Sequence, residues 1–177
     1  MQKREIVFLR HGEAEARKKE GDDLGRKLTV AGRDKIAFLG EFDLVVSSLA
    51  ERAIETVVIA AGRQPDARIV PLSTHHWYGD WKGVEAVFIN PGNISLRNAY
   101  LQADECQRQA GYAISRDAKL AVFSEIAKKG SPIQRILICG HTLFLQALAM
   151  EMITDSGDQD RILDIVLGEG EYFSIIA

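Results

Sequence analysis

The sequence predicts an α/β fold, a single-domain three-layer α/β/α sandwich built around a mostly parallel sheet. Short apolar runs alternate along the chain with longer segments whose apolar residues recur at helical spacing. The short runs are apolar at successive positions, which is typical of strands buried on both faces. Alternation of such strands with helices indicates a parallel sheet covered by helices on both sides. The length of 177 residues suits one domain with one core.

The order of the predicted elements supports this architecture. The predicted strands are Glu5–Leu9, Asp43–Ser48, Ala67–Pro71 and Ile133–Cys139. The predicted helices that follow three of them are Thr29–Gly40, Leu49–Ala61 and Thr142–Ile153. Thr29 supplies an N-cap hydroxyl for the first helix, and Gly62 ends the second.

Two regions depart from the strand–helix alternation. Residues 72–130 contain no strand pattern, so we expect a helical insertion within the domain and not a second domain. Its two helical patterns cover Leu96–Gln109 and Arg116–Lys129. Near the end of the chain, Leu163–Leu167 and Tyr172–Ile176 flank a Gly-Glu-Gly-Glu segment and predict a terminal β-hairpin.

Composition and charge narrow the range of functions. The formal net charge is −3, so the chain lacks the basic excess of proteins that bind nucleic acid or anionic membranes. No apolar run approaches the ~20 residues of a membrane span, and no signal-peptide pattern follows Met1. We therefore expect a cytoplasmic protein without nucleic-acid or membrane partners.

The two cysteines exclude several kinds of site. Cys106 and Cys139 are too few for a disulfide framework, and their separation fits no zinc-binding spacing. Neither begins the Cys-x5-Arg loop of cysteine-based phosphatases, because Tyr112 and Leu145 stand where the arginine would be. The sequence predicts no metal site.

An arginine and a histidine stand directly after the first predicted strand. Arg10 and His11 follow the apolar run Ile6–Leu9, at the carboxyl end of the strand, where ligands bind in open α/β sheets. A histidine nitrogen is a nucleophile towards phosphorus, and a guanidinium matches the geometry of phosphate oxygens. The pair therefore suggests phosphoryl chemistry if other segments supply partners.

Three further segments bring suitable side chains to the same edge. The second strand ends at Ser48, and Arg52 lies one turn into the helix that follows. The fourth strand is followed directly by His141, and Arg26 lies in the loop after the first strand. The predicted sheet edge thus carries two histidines and three arginines.

These segments resemble, in order, the motifs of the histidine phosphatase superfamily, which includes cofactor-dependent phosphoglycerate mutase. The matching segments are Leu9-Arg10-His11-Gly12-Glu13, Leu28-Thr29-x-x-Gly32, Ser47-Ser48-x-x-x-Arg52-Ala53-x-x-Thr56 and Gly140-His141. The pattern Asp22/Asp23…Arg26-x-Leu28-Thr29 is similar to that of the small bacterial phosphohistidine phosphatases in particular. That closer resemblance does not cover the insertion or the carboxyl-terminal segment.

The resemblance implies a phosphatase that uses no metal and no other cofactor. His11 would attack phosphorus through a ring nitrogen, and water would then hydrolyse the phosphohistidine intermediate. Arg10, Arg52 and His141 match the family positions that hold the phosphoryl oxygens, and Arg26 is an expected fourth phosphate contact. Positioning and charge stabilisation supply most of the catalysis in phosphoryl transfer, so guanidinium groups can replace magnesium.

The general acid departs from the family pattern. Many members carry a glutamate after the third strand that protonates the leaving group, but here Thr74 or His75 occupies that position. Asp80, His75, His76 and Glu85 are the candidates for the acid, and we favour Asp80 over His75.

The missing glutamate bears on the substrate. An alkoxide leaving group needs a proton in the transition state, whereas phosphohistidine leaves as neutral imidazole when its nitrogen is already protonated. The sequence therefore favours a phosphatase for a phosphomonoester or a phosphoramidate over a mutase. Its substrate would be a small phosphorylated molecule or a phosphohistidine protein. The alternative is a catalytically weak, phosphate-binding regulatory member of the same fold.

Overall fold

The structure is a computed structural model. It describes residues 3–16, 23–62, 69–72, 94–129, 132–153 and 156–177. These residues contain five strands and six α-helices. The strands are β1 (Glu5–Arg10), β2 (Leu44–Ser48), β3 (Ile69–Leu72), β4 (Arg135–Gly140) and β5 (Tyr172–Ile176). The helices are α1 (Val30–Asp34), α2 (Glu51–Ala60), α3 (Leu96–Gln102), α4 (Glu105–Lys129), α5 (Phe144–Met152) and α6 (Ser156–Asp164). A short 3₁₀ helix spans Asp23–Gly25.

The strands form one sheet in the order β3-β2-β4-β1-β5. β1 and β2 each run parallel to β4, β3 runs parallel to β2, and only β5 is antiparallel, on the outer side of β1. In this register Arg10 pairs with Gly140, and Ser47 pairs with Cys139. The carboxyl ends of β1, β2 and β4 therefore meet at one edge of the sheet.

Helices cover both faces of the sheet, as the sequence predicts. Because side chains alternate along a strand, Ile6 and Phe8 pack into a core that α3, α4, α5 and α6 share. Val7 and Leu9 point to the opposite face, where they pack with α2 and the apolar side chains between Leu28 and Phe42. The predicted α/β/α sandwich is confirmed.

Most predicted elements are confirmed to within two residues at each end. The predicted helix Thr29–Gly40 is too long, because α1 ends at Asp34. The backbone beyond it is held by tertiary contacts: the Leu39 amide donates to the Ala60 carbonyl at 2.7 Å. Arg135 Nη1 donates to the Leu39 carbonyl at 2.9 Å. These bonds replace the ones that helix continuation would have made.

The insertion contains helices where the sequence predicts them, but the break between them lies elsewhere. The predicted gap between Gln109 and Arg116 is wrong, because α4 runs unbroken through it. Gly111, Ser115 and Ala118 are buried on one face of α4, and this helix packs against α5. The buried face of α4 runs through Gly111, so tertiary packing outweighs the low helix propensity of the glycine.

The predicted terminal hairpin is also wrong. Residues 163 and 164 close α6, and the rest of Leu163–Leu167 forms no strand. The second half of the prediction, Tyr172–Ile176, is a strand, but it pairs with β1, with Leu9 opposite Tyr172.

Within the described ranges, no helix is long and apolar enough to cross a membrane.

Candidate active site

His11 is the first residue after β1 and lies buried at the carboxyl edge of the sheet. Its Nδ1 is 2.8 Å from the carbonyl oxygen of Gly12. A carbonyl oxygen only accepts hydrogen bonds, so Nδ1 carries the ring proton and donates it. The lone pair of the neutral imidazole is therefore on Nε2.

Thr56 and Gly32 hold the Gly12 backbone that fixes this tautomer. The Gly12 amide donates to Thr56 Oγ1 at 3.1 Å, and the Thr56 hydroxyl donates to the Arg52 carbonyl at 2.6 Å. A Cβ on residue 12 would lie 2.9 Å from the Gly32 carbonyl oxygen, closer than such atoms approach. Only glycine fits at this position, which explains the glycine of the Arg-His-Gly motif.

Arg52 brings a buried positive charge to Nε2, the unprotonated nitrogen of His11. The residue lies on α2, and its side chain is 3% exposed. Its Nε donates to His11 Nε2 at 3.3 Å, and the direction is fixed because a guanidinium cannot accept. The Gly12 and Arg52 contacts thus agree on one tautomer of His11.

Asp23 occupies the far end of the Arg52 guanidinium. Arg52 Nη2 donates to Asp23 Oδ2 at 2.9 Å, and Nη1 donates to the Asp23 carbonyl oxygen. The other carboxylate oxygen accepts from Arg26 Nη1 at 2.9 Å. Burial alone raises the pKa of Asp23, but the charges and hydrogen bonds of Arg26 and Arg52 outweigh it and hold the pKa below its usual value. Asp23 is therefore ionised at neutral pH.

Arg26, the predicted fourth phosphate contact, reaches the site through Asp23. Besides its bond to the carboxylate, its Nε donates to the Glu15 carbonyl at 2.6 Å. Its own carbonyl accepts from the Arg52 amide at 3.1 Å, which joins the loop to the start of α2. A direct contact between Arg26 and phosphate remains a prediction.

His141 lies beside His11, because β1 and β4 are neighbours in the sheet. The two imidazole centroids are 5.0 Å apart, and the rings meet edge to face at 66°. Nε2 of His141 is 3.1 Å from the Ser48 hydroxyl at the end of β2. The turn that follows is strained, because Leu143 has a φ of 61° and the Phe144 amide bonds the Thr142 carbonyl at 2.7 Å.

Arg10 lies against the loop that precedes β5. Its Nη1 donates to the Leu167 carbonyl at 2.7 Å, and its Nη2 is 3.8 Å from Glu169 Oε1. The Gly170 amide donates to the carbonyls of both Arg10, at 3.2 Å, and His11, at 3.1 Å. This loop therefore forms one wall of the site, a contribution that the predicted hairpin did not include.

Both imidazoles are neutral at physiological pH. Burial lowers the pKa of His11 to about 3, and the positive charges of Arg52, Arg10 and Arg26 add to that effect, while the Gly12 bond opposes it. Burial also lowers the pKa of His141 well below its ordinary value, and the neighbouring His11 and Arg52 lower it further. A neutral His11 is the form that can attack phosphorus.

The candidate acids, Asp80, His75, His76 and Glu85, all lie outside the described residues.

The part of the chain that the structure describes contains no cluster of three or more His, Cys, Asp or Glu side chains suited to a metal ion. Cys139, one residue before the Gly-His motif, is buried, and burial raises the pKa of its thiol. Its thiol is therefore a poor nucleophile compared with His11.

Sequence reasoning assigned no role to two residues that contact this site. Asp23 has a place in the sequence only as part of a motif, although its spacing before Arg26 places both on one short turn. Ser48 stands at a predicted strand end and within a motif, and its hydroxyl lies 3.1 Å from His141 Nε2. A polar residue at the end of a buried strand was the available signal for Ser48.

Solved structures with the same fold share little sequence identity with this chain. A mycobacterial glucosyl-3-phosphoglycerate phosphatase aligns with a TM-score of 0.61 and 19% identity, over 98% of this chain and 90% of its own. A candidate α-ribazole-5′-phosphate phosphatase from Escherichia coli K-12 aligns with a TM-score of 0.59 and 19% identity, over 98% and 90%.

A candidate phosphohistidine phosphatase, SixA from Agrobacterium tumefaciens, aligns with a TM-score of 0.55 and 16% identity, over 97% of this chain and 90% of its own. At such identities the likeness establishes the fold alone. No curated protein sequence matches this chain significantly.

A family model gives the stronger result. The model described as histidine phosphatase superfamily (branch 1) matches residues 6–167, most of the chain. The matched range contains the Arg-His-Gly motif after β1, Arg52 on α2 and His141 after β4. The chain therefore belongs to the histidine phosphatase superfamily.

Proposed function

We propose that this protein is a phosphatase that hydrolyses a phosphomonoester or a phosphoramidate through a covalent phospho-His11 intermediate. The geometry of His11 carries the proposal. Its Nδ1 donates to the Gly12 carbonyl, so its Nε2 lone pair is available, and a buried guanidinium lies 3.3 Å from that nitrogen. A neutral imidazole beside fixed positive charge has the properties that a nucleophile for phosphoryl transfer requires.

In the proposed reaction, His11 Nε2 forms a bond to phosphorus while the bond from phosphorus to the leaving group breaks. The Arg52 Nε–H, which bonds the Nε2 lone pair in the free protein, then donates to a phosphoryl oxygen. Arg10 and His141 hold the remaining oxygens in this scheme. The Gly12 carbonyl stabilises the positive charge that the imidazole gains, because it accepts a hydrogen bond from the Nδ1–H. Water then attacks phosphorus and the bond from phosphorus to Nε2 breaks. One proton of the water stays on the phosphate, the other goes to the departed leaving group or to solvent, and neutral His11 is restored.

Phosphohistidine is the substrate class that the sequence supports best. The family's acidic glutamate is missing, and a protonated phosphoramidate needs no acid to leave. The structural neighbours are named as a phosphohistidine phosphatase and a glucosyl-3-phosphoglycerate phosphatase, among others, so their names do not decide between a phosphoramidate and a phosphomonoester. A cytoplasmic location and independence from metals are parts of the proposal. The exposed free thiol of Cys106 supports a reducing compartment.

Hydrolysis of p-nitrophenyl phosphate tests the proposal, because its leaving group needs no acid. We expect turnover in the presence of a metal chelator, and a loss of at least about 10³-fold in kcat for His11→Ala. Quenching of the wild-type reaction in alkaline denaturant, in which a phosphoramidate is stable, should trap phosphate on the protein, and the His11→Ala variant should trap none.

Three results would contradict the proposal or its parts. Phosphate binding without turnover would support the regulatory alternative. Turnover that survives His11→Ala would exclude His11 as the nucleophile. If a phosphohistidine peptide reacts no faster than a sugar phosphate, the missing glutamate does not indicate a phosphohistidine substrate.

A further inference from the structure

We propose that Asp23 is a positioning residue for phosphoryl transfer, whose carboxylate holds the Arg52 guanidinium so that Nε faces His11 Nε2. The inference rests on the proposed phosphatase function and adds to it a residue that touches neither the substrate nor the nucleophile. Asp23 would act only through Arg52.

The hydrogen bonds of Arg52 carry the first step of the argument. Its Nη2 donates to Asp23 Oδ2 at 2.9 Å, its Nη1 donates to the Asp23 carbonyl oxygen, and its Nε donates to His11. Two bonds from one residue to both terminal nitrogens fix the plane of a guanidinium. With that plane fixed, the Nε–H has one direction available, and it points at the reacting nitrogen.

Burial makes this anchoring necessary. The Arg52 side chain is 3% exposed, and a buried charge is costly unless it is paired and hydrogen-bonded. Among the described residues, Asp23 is the one carboxylate within ion-pair distance of Arg52. His11 is neutral and cannot balance the charge. Without Asp23, the guanidinium would turn towards water and away from His11.

Asp23 is itself held in place by Arg26. The Asp23 Oδ1 atom accepts from Arg26 Nη1 at 2.9 Å, and the Arg26 carbonyl accepts from the Arg52 amide at 3.1 Å. The loop and the start of α2 thus hold each other through both backbone and side chains. In this arrangement Arg26 supports Asp23 directly, whether or not it also contacts phosphate.

Asp23 is placed to orient Arg52, not to compete with phosphate. It bonds the terminal nitrogens, whereas the Nε–H faces the nitrogen to which phosphorus would be attached. Asp23 can therefore remain in place when a phosphoryl group arrives. Donors that are fixed before the reaction stabilise a transition state without reorganising.

The test compares Asp23→Asn with a matched control, Asp43→Asn. Asp43 also accepts two hydrogen bonds, from the Gln134 and Arg135 amides, and it lies at the opposite end of the sheet. We expect Asp23→Asn to lower kcat for p-nitrophenyl phosphate about 10- to 100-fold, with KM changed less than about threefold. Vanadate affinity, which reports transition-state geometry, should fall by a similar factor, and inorganic phosphate affinity should fall much less.

Asp43→Asn should keep wild-type kcat and vanadate affinity, even if it lowers the unfolding temperature. The inference is overturned if Asp23→Asn keeps wild-type kcat and vanadate affinity. It is also overturned if the variant binds phosphate more tightly and reacts faster, because Asp23 would then be a competitor of the substrate.

A second variant covers the case in which Asp23→Asn fails to fold. Asp23→Glu keeps the charge but displaces the carboxylate by one methylene, so kcat should fall while the unfolding temperature stays close to that of the wild type. Wild-type kcat in Asp23→Glu would overturn the inference. If the wild type shows no turnover at all, the proposed function fails, and vanadate affinity alone then decides the role of Asp23.

Discussion

At the scale of single residues, Thr56 connects the backbone of Gly12, in the Arg-His-Gly motif, to the backbone of Arg52. Its hydroxyl accepts from the Gly12 amide and donates to the Arg52 carbonyl, and the side chain is fully buried. We expect Thr56→Val to cost about 1–3 kcal/mol of unfolding free energy, because it leaves a buried amide without a partner. It should also lower kcat, because the Gly12 carbonyl that fixes the His11 tautomer becomes less constrained.

Denaturant unfolding and kinetics on the same preparations measure both effects. Thr56→Ser keeps the hydroxyl and is the control, so it should recover most of the activity. Equal kcat values for the valine variant and the wild type would show that the Gly12 carbonyl is held without Thr56.

At the scale of elements, the position of the short helix α1 is fixed by its close contact with the segment after β1. A Cβ on Gly32 would lie 2.1 Å from the Glu13 carbonyl oxygen, and the Thr29 amide donates to that same carbonyl. We expect Gly32→Ala to lower the unfolding free energy by about 3 kcal/mol or more, because backbone must move to admit the methyl group. Thermal and denaturant unfolding measure this loss.

The chain offers a matched control in Gly25→Ala. A Cβ at residue 25 meets nothing within 4 Å, so this variant should stay within about 0.5 kcal/mol of the wild type. A Gly32→Ala protein as stable as Gly25→Ala would show that α1 can shift freely against the segment after β1.

These elements show how far the sequence predicts the fold and the site. Continuous apolar runs predict β1, β2 and β4 because those strands are buried on both faces. The end of α1 was not predictable from local pattern, because bonds from Leu39 to the end of α2 and to Arg135 compete with the helix. The motifs predict that His11, Arg52 and His141 meet at one edge of the sheet. The hydrogen bond that Arg52 donates to Asp23 depends on how the loop after β1 folds back onto α2. The spacing of residues in the sequence does not encode that fold.

At the scale of the whole molecule, the topology places two neutral imidazoles side by side among positive charges. β4 lies between β1 and β2, so His11 and His141 follow adjacent strands and pack edge to face. Their side chains must lose any proton on folding, because burial and the nearby arginines disfavour the charged forms. The arrangement that keeps His11, the proposed nucleophile, neutral therefore also makes the fold sensitive to acid.

The sign of this pH dependence follows from the pKa of His11. The unfolded chain takes up a proton on this side chain near pH 6.5, whereas the folded protein takes it up only near pH 3, because burial lowers its pKa to about 3. Stability is therefore complete above pH 6.5 and decreases as the pH falls towards 3. For one such histidine, the loss between pH 7.5 and pH 5 is about 2 kcal/mol.

Urea unfolding of the wild type and His11→Asn at both pH values measures this contribution. The substitution removes the titrating group, so the decrease in unfolding free energy from pH 7.5 to pH 5 should be about 2 kcal/mol smaller in the variant. Asp23 and Asp43 do not obscure the comparison, because a carboxyl whose pKa is lowered on folding loses its stabilising effect only below its unfolded-state pKa, at about 4. His141→Asn should reduce the decrease in the same direction, because its pKa is lowered as well. Equal decreases in the wild type and in both variants would mean that folding does not lower the pKa of either histidine.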